Sequence, residues 1–202
     1  MIRLDREDGL WIVTLDRPDR KNALTAGMLT DLVGILKIAG EARALILTGT
    51  GDVFSAGADL DEVRAGTLAR NPLWEEVSGL IAEMSCVTVA ALNGTLAGGA
   101  FGMALACDMR LGVEGAQFFY PVIKLGVLPQ PSDPARLAAL VGPARAKLLL
   151  LAGQRWTADE ALDAGLLDGV FARADLMDRA RDLCAGALAA PTGHAGAIKA
   201  LF

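Results

Sequence analysis

The chain opens on two apolar runs, Ile2 to Leu4 and Leu10 to Leu15, separated by Glu7-Asp8-Gly9, and this pattern predicts a β-hairpin. Behind Thr25, the residues Met28, Leu29, Leu32, Ile35 and Leu36 recur at helical spacing. They predict a helix from Ala26 to about Ala39, capped by Thr25 and stopped by Gly40. Ala44 to Leu47 is a continuous apolar strand feeding Thr48-Gly49-Thr50-Gly51, and Val87 to Leu92 feeds Asn93-Gly94 in the same way. A helix from about Pro72 to Met84 lies between them, and another starts near Gly98-Gly99. Strands follow from Cys107 to about Val113 and at Gln117 to Phe119. From Pro134 onward the pattern is helical: Pro134 to Leu140, Pro143 to Leu151, Thr157 to Ala164 and Asp175 to Ala190, interrupted only by a strand at Gly169 to Phe171. Strands alternating with helices point to an α/β fold with largely parallel sheets. With no low-complexity linker and no repeat, one domain over residues 1–202 is expected.

Composition narrows the class. Of 202 residues, 53% are apolar and 21% charged, which excludes a disordered chain and suffices for one buried core. Mean hydropathy is high at +0.40. Yet runs such as Val87 to Leu92 end well short of the roughly 18 residues that a membrane helix needs. The acidic start Met1-Ile2-Arg3-Leu4-Asp5 does not read as a signal peptide, so a cytoplasmic protein without membrane contact is expected. A net charge of −5 argues against nucleic acid as a partner. Cys86, Cys107 and Cys184 are odd in number and lack C-x-x-C spacing, which supports buried thiols and no metal site. The single histidine, His194, follows a Pro191-Thr192-Gly193 turn with no serine or cysteine to activate. It reads as a surface-loop residue, not as part of a hydrolase triad.

Two glycine loops carry the chemistry. Gly49-Thr50-Gly51 resembles the start of a dinucleotide fingerprint, but Phe54 occupies the third glycine's position. Ser55-Ala56-Gly57-Ala58-Asp59-Leu60 and Asn93-Gly94-Thr95-Leu96-Ala97-Gly98-Gly99-Ala100 each follow a buried strand and use residues with little side chain. A ligand can therefore approach the main chain closely. If Ala58 and Gly99 each supply a backbone N–H, the two converge on one oxygen, with Gly99 in the first turn of a helix. Either loop alone is equally a tight packed turn. Both together, with the preceding segment Leu15-Asp16-Arg17-Pro18-Asp19-Arg20-Lys21-Asn22-Ala23-Leu24, are not easily explained by packing.

These segments, with Cys107-Asp108-Met109-Arg110, Lys124-Leu125-Gly126-Val127 and the pieces from Arg136-Leu137 to Leu167, resemble the enoyl-CoA hydratase/isomerase, or crotonase, superfamily over about Leu10 to Leu201. The resemblance implies a crotonase-like spiral of ββα units over about 1–133 and a mainly helical part over about 134–202. It also implies an acyl-CoA thioester as the bound partner, coenzyme A being part of the substrate and not a separate cofactor. The thioester oxygen would sit between the N–H groups of Ala58 and Gly99. Ala56, Gly57, Ala58, Asp59 and Leu60 would line the CoA and pantetheine path, with Arg20, Lys21 and Ala23 on the segment that meets pantetheine and phosphates. Arg17, Arg20 and Lys21 form one compact basic cluster in an acidic protein, with ion pairing to Asp16 and Asp19 as the competing reading. Homotrimers or hexamers are implied. Relatives continue into further helices beyond Ala197-Ile198-Lys199, so a shortened member with exposed apolar surface is expected.

The sequence departs from the hydratase pattern at both proton-transfer positions. Gly102 and Val122 stand where the two glutamates fall, and Gln130 stands where related isomerases carry a carboxylate. None of the three can transfer a proton. Asp133 and Tyr120 are the compensating candidates, together with the acidic run Asp59, Asp61 and Glu62. Asp133 precedes Pro134 and doubles as a candidate N-cap, Tyr120 as a packed aromatic, and Asp61 and Glu62 as first-turn acids. Asp61 stands where many relatives carry a lysine toward the CoA phosphates. The readings left open are an enzyme working through a CoA enolate in fatty-acid or related metabolism, as lyase, isomerase or hydrolase, a non-catalytic acyl-CoA-binding protein, and a structural subunit.

Overall fold

A computed structural model describes all 202 residues. Strands β1 (Ile2–Glu7) and β2 (Leu10–Leu15) form the opening hairpin around Asp8 and Gly9. Helix α1 (Ala26–Ile38) starts where the Thr25 side chain accepts a hydrogen bond from the Met28 N–H. Gly40 does not end it through a left-handed residue; a 3-10 turn over Ala39–Glu41 tightens the last turn and returns the chain to the sheet.

Three successive turns of chain then each lay one strand in a larger sheet and a three-residue strand in a smaller one. The first holds β3 (Ala44–Gly49) and β4 (Val53–Ser55), followed by helices α2 (Leu60–Arg64) and α3 (Leu73–Ala82). The second holds β5 (Val87–Leu92) and β6 (Thr95–Ala97), then a 3-10 turn over Gly98–Ala100 that runs into α4 (Phe101–Ala106). The third holds β7 (Met109–Val113) and β8 (Gln117–Phe119), then α5 (Val122–Leu125). Cys107 and Asp108 lie outside β7, contrary to the expected strand start, because the Asp108 side chain is engaged with Thr88. The helical remainder comprises α6 (Asp133–Val141), α7 (Pro143–Leu150), α8 (Ala158–Ala164), α9 (Leu176–Ala189) and α10 (His194–Lys199), with β9 (Arg155–Thr157) preceding α8 and β10 (Gly169–Phe171) following it. His194 is exposed and opens α10 instead of sitting in a loop.

The larger sheet has the order β1-β2-β3-β5-β7-β10, parallel throughout except for the hairpin. The smaller has the order β4-β6-β8-β9, with β9 antiparallel at one edge. This alternation is the ββα spiral, and it explains the sequence pattern. Buried on both faces, β2, β3 and β5 read as nearly continuous apolar runs instead of alternating ones, broken only by Thr14, Thr48, Thr88 and the terminal Gly49 of β3. One core of 56 buried residues joins the two sheets, including Phe54, Phe101 and Phe118. Phe54 is thus core, which removes the dinucleotide reading of Gly49-Thr50-Gly51.

Candidate active site

The segment Lys21 to Leu24 runs beside the first glycine loop and fixes its shape. The Ala56 N–H donates to Lys21 O (2.9 Å), the Leu24 N–H to Gly57 O (2.8 Å) and the Asp59 N–H to Leu24 O (2.8 Å). Leu24 and Ala58 therefore face each other across a parallel bridge whose bonds are made by the neighbours of Ala58. The N–H of Ala58 points the other way and is donated to no loop carbonyl or side chain. Asn22, fully buried, stitches this arrangement together. Its Nδ2 donates to Thr50 O and Val53 O (2.8 Å each), while its Oδ1 accepts from the Arg17 N–H at 2.8 Å.

The second loop packs directly on the first. Gly57 has φ of +90°, and a Cβ there would lie 2.8 Å from Ala97 O, so only glycine lets the loops touch. Gly99 follows β6 in the 3-10 turn, its N–H likewise donated to no loop carbonyl or side chain. A Cβ on Gly99 would meet the Trp74 ring at 3.2 Å. Ala58 and Gly99 line one cavity of about 220 Å³, walled also by Trp74, Phe119, Tyr120, Leu125, Leu128 and Gln130. Sharing Ala56, Ala58 and Leu60 with it is a polar depression of about 340 Å³ that includes Arg20, Lys21, Ala23, Asp59, Asp61 and Arg64. The expected site residues are therefore brought together with two exceptions. Gly57 is buried behind the wall, where it makes the turn. Asp133 lies behind Tyr120 and does not reach the cavity surface.

The basic cluster is also revised. Arg17 turns inward, its Nη1 donating to Asp59 Oδ2 at 2.7 Å and to Ala23 O at 3.0 Å, so it is spent on holding the loop. Asp59 also caps α2, Oδ1 accepting from the Asp61 and Glu62 N–H groups. The Arg17 hydrogen bond, aided by those backbone donors, holds the Asp59 carboxyl below the usual aspartate range. Arg20 remains exposed and sits 3.7 Å from Asp61, which also accepts from Arg64 at 3.3 Å. The competing acids are thus Asp59 and Asp61, not Asp16 and Asp19.

Asp133 is the unexpected element. It is the first residue of α6, but its side chain caps nothing. Instead, Oδ2 accepts the Tyr120 hydroxyl at 2.8 Å, and the Tyr120 oxygen accepts the Gln130 N–H at 3.3 Å. Oδ1 is buried with no hydrogen-bond partner. It lies 2.9 Å from where a Cβ on Gly102 would be, so the carboxyl fills the space left by the missing side chain on α4. Burial pushes the Asp133 carboxyl up to about 7; Glu75 adds to this, while the Tyr120 hydrogen bond and Arg136 oppose it. Tyr120 stacks on Phe101 with ring centroids 5.3 Å apart, and burial beside Asp133 drives its hydroxyl far above the ordinary tyrosine value. By contrast, the three cysteines are free and buried. Burial raises Cys86 and Cys184 to about 11 and Cys107 to about 12, which leaves them unreactive thiols.

Trp74 was not foreseen. It lies on the buried face of α3 with Nε1 donating to Leu68 O at 3.0 Å, and its sequence neighbourhood reads as core. Asn22 was visible only as part of a segment; in the structure it takes a left-handed φ of +52°, a conformation that asparagine tolerates better than most residues, so its residue type was the only local signal available.

A ββα spiral whose paired glycine loops open on one apolar cavity defines a crotonase-fold protein. Comparison with known proteins agrees: the family model for enoyl-CoA hydratase/isomerase matches residues 5–202, and the chain belongs to that family. It is 36% identical to Bacillus subtilis YngF, named an enoyl-CoA hydratase/isomerase, over 188 residues covering 89% of this chain and 72% of YngF. It is 32% identical to an Arthrobacter 4-chlorobenzoyl coenzyme A dehalogenase over 209 residues, covering 98% and 76% of the two chains. A Thermobifida fusca protein of the enoyl-CoA hydratase type, solved in complex with CoA, superposes with a TM-score of 0.90 at 31% identity, covering 99% of this chain and 83% of that one.

Proposed function

We propose that this protein binds an acyl-CoA with the thioester oxygen between the Ala58 and Gly99 N–H groups, and that it stabilises the enolate formed there. The observation that carries this reading is the pair of uncommitted N–H groups on residues of one cavity wall. Donors held by a rigid backbone are already oriented when charge develops on the oxygen, so they stabilise an enolate more than the ground-state thioester. The connected polar depression suits the rest of the ligand: pantetheine along Ala23, Ala56 and Leu60, and phosphates near Arg20 and Lys21. The CoA complex of the Thermobifida fusca relative supports the same ligand class.

The reaction within the family is a separate matter, because the relatives carry names as different as hydratase and dehalogenase. Gly102 and Val122 supply no proton donor or acceptor for water addition. That absence favours the second reading, acyl-CoA binding without turnover. The test is the carbonyl stretch of a carbon-13-labelled acyl-CoA thioester on binding. A shift to lower frequency, abolished by Gly99→Pro, is expected. A bound thioester with an unshifted carbonyl overturns the oxyanion-hole assignment. Assembly into trimers or hexamers belongs to the same proposal, supported by exposed Ile123, Leu125, Leu128 and Leu151. Sedimentation as a stable monomer would sink it.

A further inference from the structure

We propose that Tyr120, backed by Asp133 in the space that Gly102 leaves open, is the proton relay that makes and quenches the acyl-CoA enolate. This rests on the enolate reading above and assigns it the base that neither Gly102, Val122 nor Gln130 can provide. Three independent features of the structure meet here. Tyr120 lines the cavity that also holds Ala58 and Gly99, and it is the one titratable residue among those lining that cavity. Its hydroxyl already donates to Asp133 Oδ2 at 2.8 Å, a distance suited to proton transfer. The carboxyl behind it is 1% exposed and keeps one oxygen without a partner. A structural carboxylate so deeply buried is ordinarily paired on both oxygens.

The surroundings hold this arrangement in place. The Glu75 carboxylate of α3 accepts from the Ser132 N–H and Oγ at 3.0 Å each, and Arg136 donates to Ser132 Oγ at 2.8 Å, which pins the start of α6 to α3. Phe101 on α4 stacks the tyrosine ring. Gly102 on the same helix admits the carboxyl, since any side chain at position 102 would strike Asp133 Oδ1.

In the forward step the α-carbon proton passes to the Tyr120 oxygen as the tyrosine's own proton passes to Asp133 Oδ2. The C–H bonding pair moves into the enolate, and the negative charge leaves Asp133 for the thioester oxygen. Return of the proton to carbon reverses each transfer, with no oxidant or reductant involved. Tyrosine is never an anion in this scheme, so its strongly raised proton affinity is no obstacle. Tyr120 is thus the catalytic residue and Asp133 holds the proton behind it. The charged and titratable groups facing Asp133 are Tyr120 from the end of β8, Glu75 from α3 and Arg136 from α6, while α4 presents Gly102. Because burial and Glu75 push the Asp133 carboxyl up to about 7, the ionised, accepting form grows in through neutrality.

The test is exchange of the α-protons of butyryl-CoA with deuterium oxide, followed across pH alongside binding by calorimetry. Wild-type exchange is expected to rise through about pH 7. Tyr120→Phe and Asp133→Asn should each lower it by at least about 100-fold while binding stays within a few-fold. Phenylalanine keeps the stack on Phe101, and asparagine keeps the shape at the buried position. Gly102→Ala, which leaves Tyr120 and Asp133 in the sequence but crowds Oδ1, should also slow exchange and move the pH profile. Wild-type exchange that survives unchanged in Tyr120→Phe overturns the relay and leaves the enolate reading standing. Tight binding with no wild-type exchange at any pH overturns the enolate reading and the relay with it.

Discussion

Burying Asp133 should cost stability in a defined pH window, and asparagine should remove that dependence. The ordinary aspartate value is 3.8, and in the fold burial raises it to about 7. Below about pH 4 the residue is neutral in both folded and unfolded chains. Between there and about pH 7 the folded chain holds a proton that the unfolded chain releases, so stability falls as pH rises through the window. Above it both are ionised and the loss is complete. With each tenfold change in proton affinity worth about 1.4 kcal/mol, the whole loss is about 4 kcal/mol. Some 2–3 kcal/mol of this falls between about pH 5 and about pH 8.

Asp133→Asn can still accept the Tyr120 hydroxyl but never ionises. Its amide hydrogens, placed beside Gly102, add a constant cost of about 1–3 kcal/mol that is independent of pH. Urea denaturation of both proteins from about pH 5 to about pH 8 separates the two effects, because other titrating groups are common to both and cancel. The wild type should lose some 2–3 kcal/mol more than the variant over that interval. Parallel stability curves would refute the argument, since they require a carboxyl that titrates alike in folded and unfolded chains.

Three further outcomes follow from the same geometry. Asp59→Asn breaks the 2.7 Å pair with Arg17 and leaves that guanidinium nearly buried without a counter-charge. A loss of about 3 kcal/mol in denaturant-measured stability is expected, and acid sensitivity should lessen because the lowered Asp59 carboxyl stabilises the fold only above its ordinary range. Asp61→Ala frees Arg20 and Arg64, so CoA should bind several-fold more tightly by calorimetry, with the gain shrinking as salt is added; equal affinity at low salt would place the phosphates elsewhere. Trp74→Ala opens the cavity wall beside Gly99 and should shift preference toward bulkier acyl groups in a binding series while costing about 3–5 kcal/mol of stability; an unchanged preference would show that the acyl group does not reach α3.

The sequence revealed the parts of this fold that have a period or a run long enough to carry one. β2, β3 and β5 are six residues each and buried on both faces, and α1 carries its cap and its apolar stripe within its own residues. β4, β6 and β9 have three residues each, like β8 and β10, which the sequence did show. The first three, however, are embedded in the glycine-loop segments or run straight into a helix, where nothing local separates them from their surroundings. They are strands because partners lie alongside, as Phe118 does with Trp156. The same limit applies to charge. Arg17, Arg20 and Lys21 look equivalent in a basic cluster, and only the fold brings Asp59, 42 residues away, onto Arg17. Local signals found the two glycine loops because close approach of main chain requires small residues wherever it occurs. They missed Trp74 because a tryptophan lining a cavity and one filling a core occupy the same kind of helix face.

Gly102 and Asp133 show most clearly where one-dimensional reading stops. Position 102 reads as a lost acid, and position 133 as the start of a helix. Taken separately, each points away from proton transfer: the first removes a group, and the second is accounted for by capping. In the folded chain they are a single feature. The aspartate carboxyl occupies the space that the glycine leaves, and it does not cap α6 because it is turned toward Tyr120. Burying a carboxyl with one oxygen unpaired is unfavourable for folding. The fold nonetheless secures it with the Glu75, Ser132 and Arg136 contacts on one side and the Phe101 stack on the other. A group held so firmly at a cost to stability is better explained by what it does to Tyr120, at the cavity wall, than by what it contributes to the core.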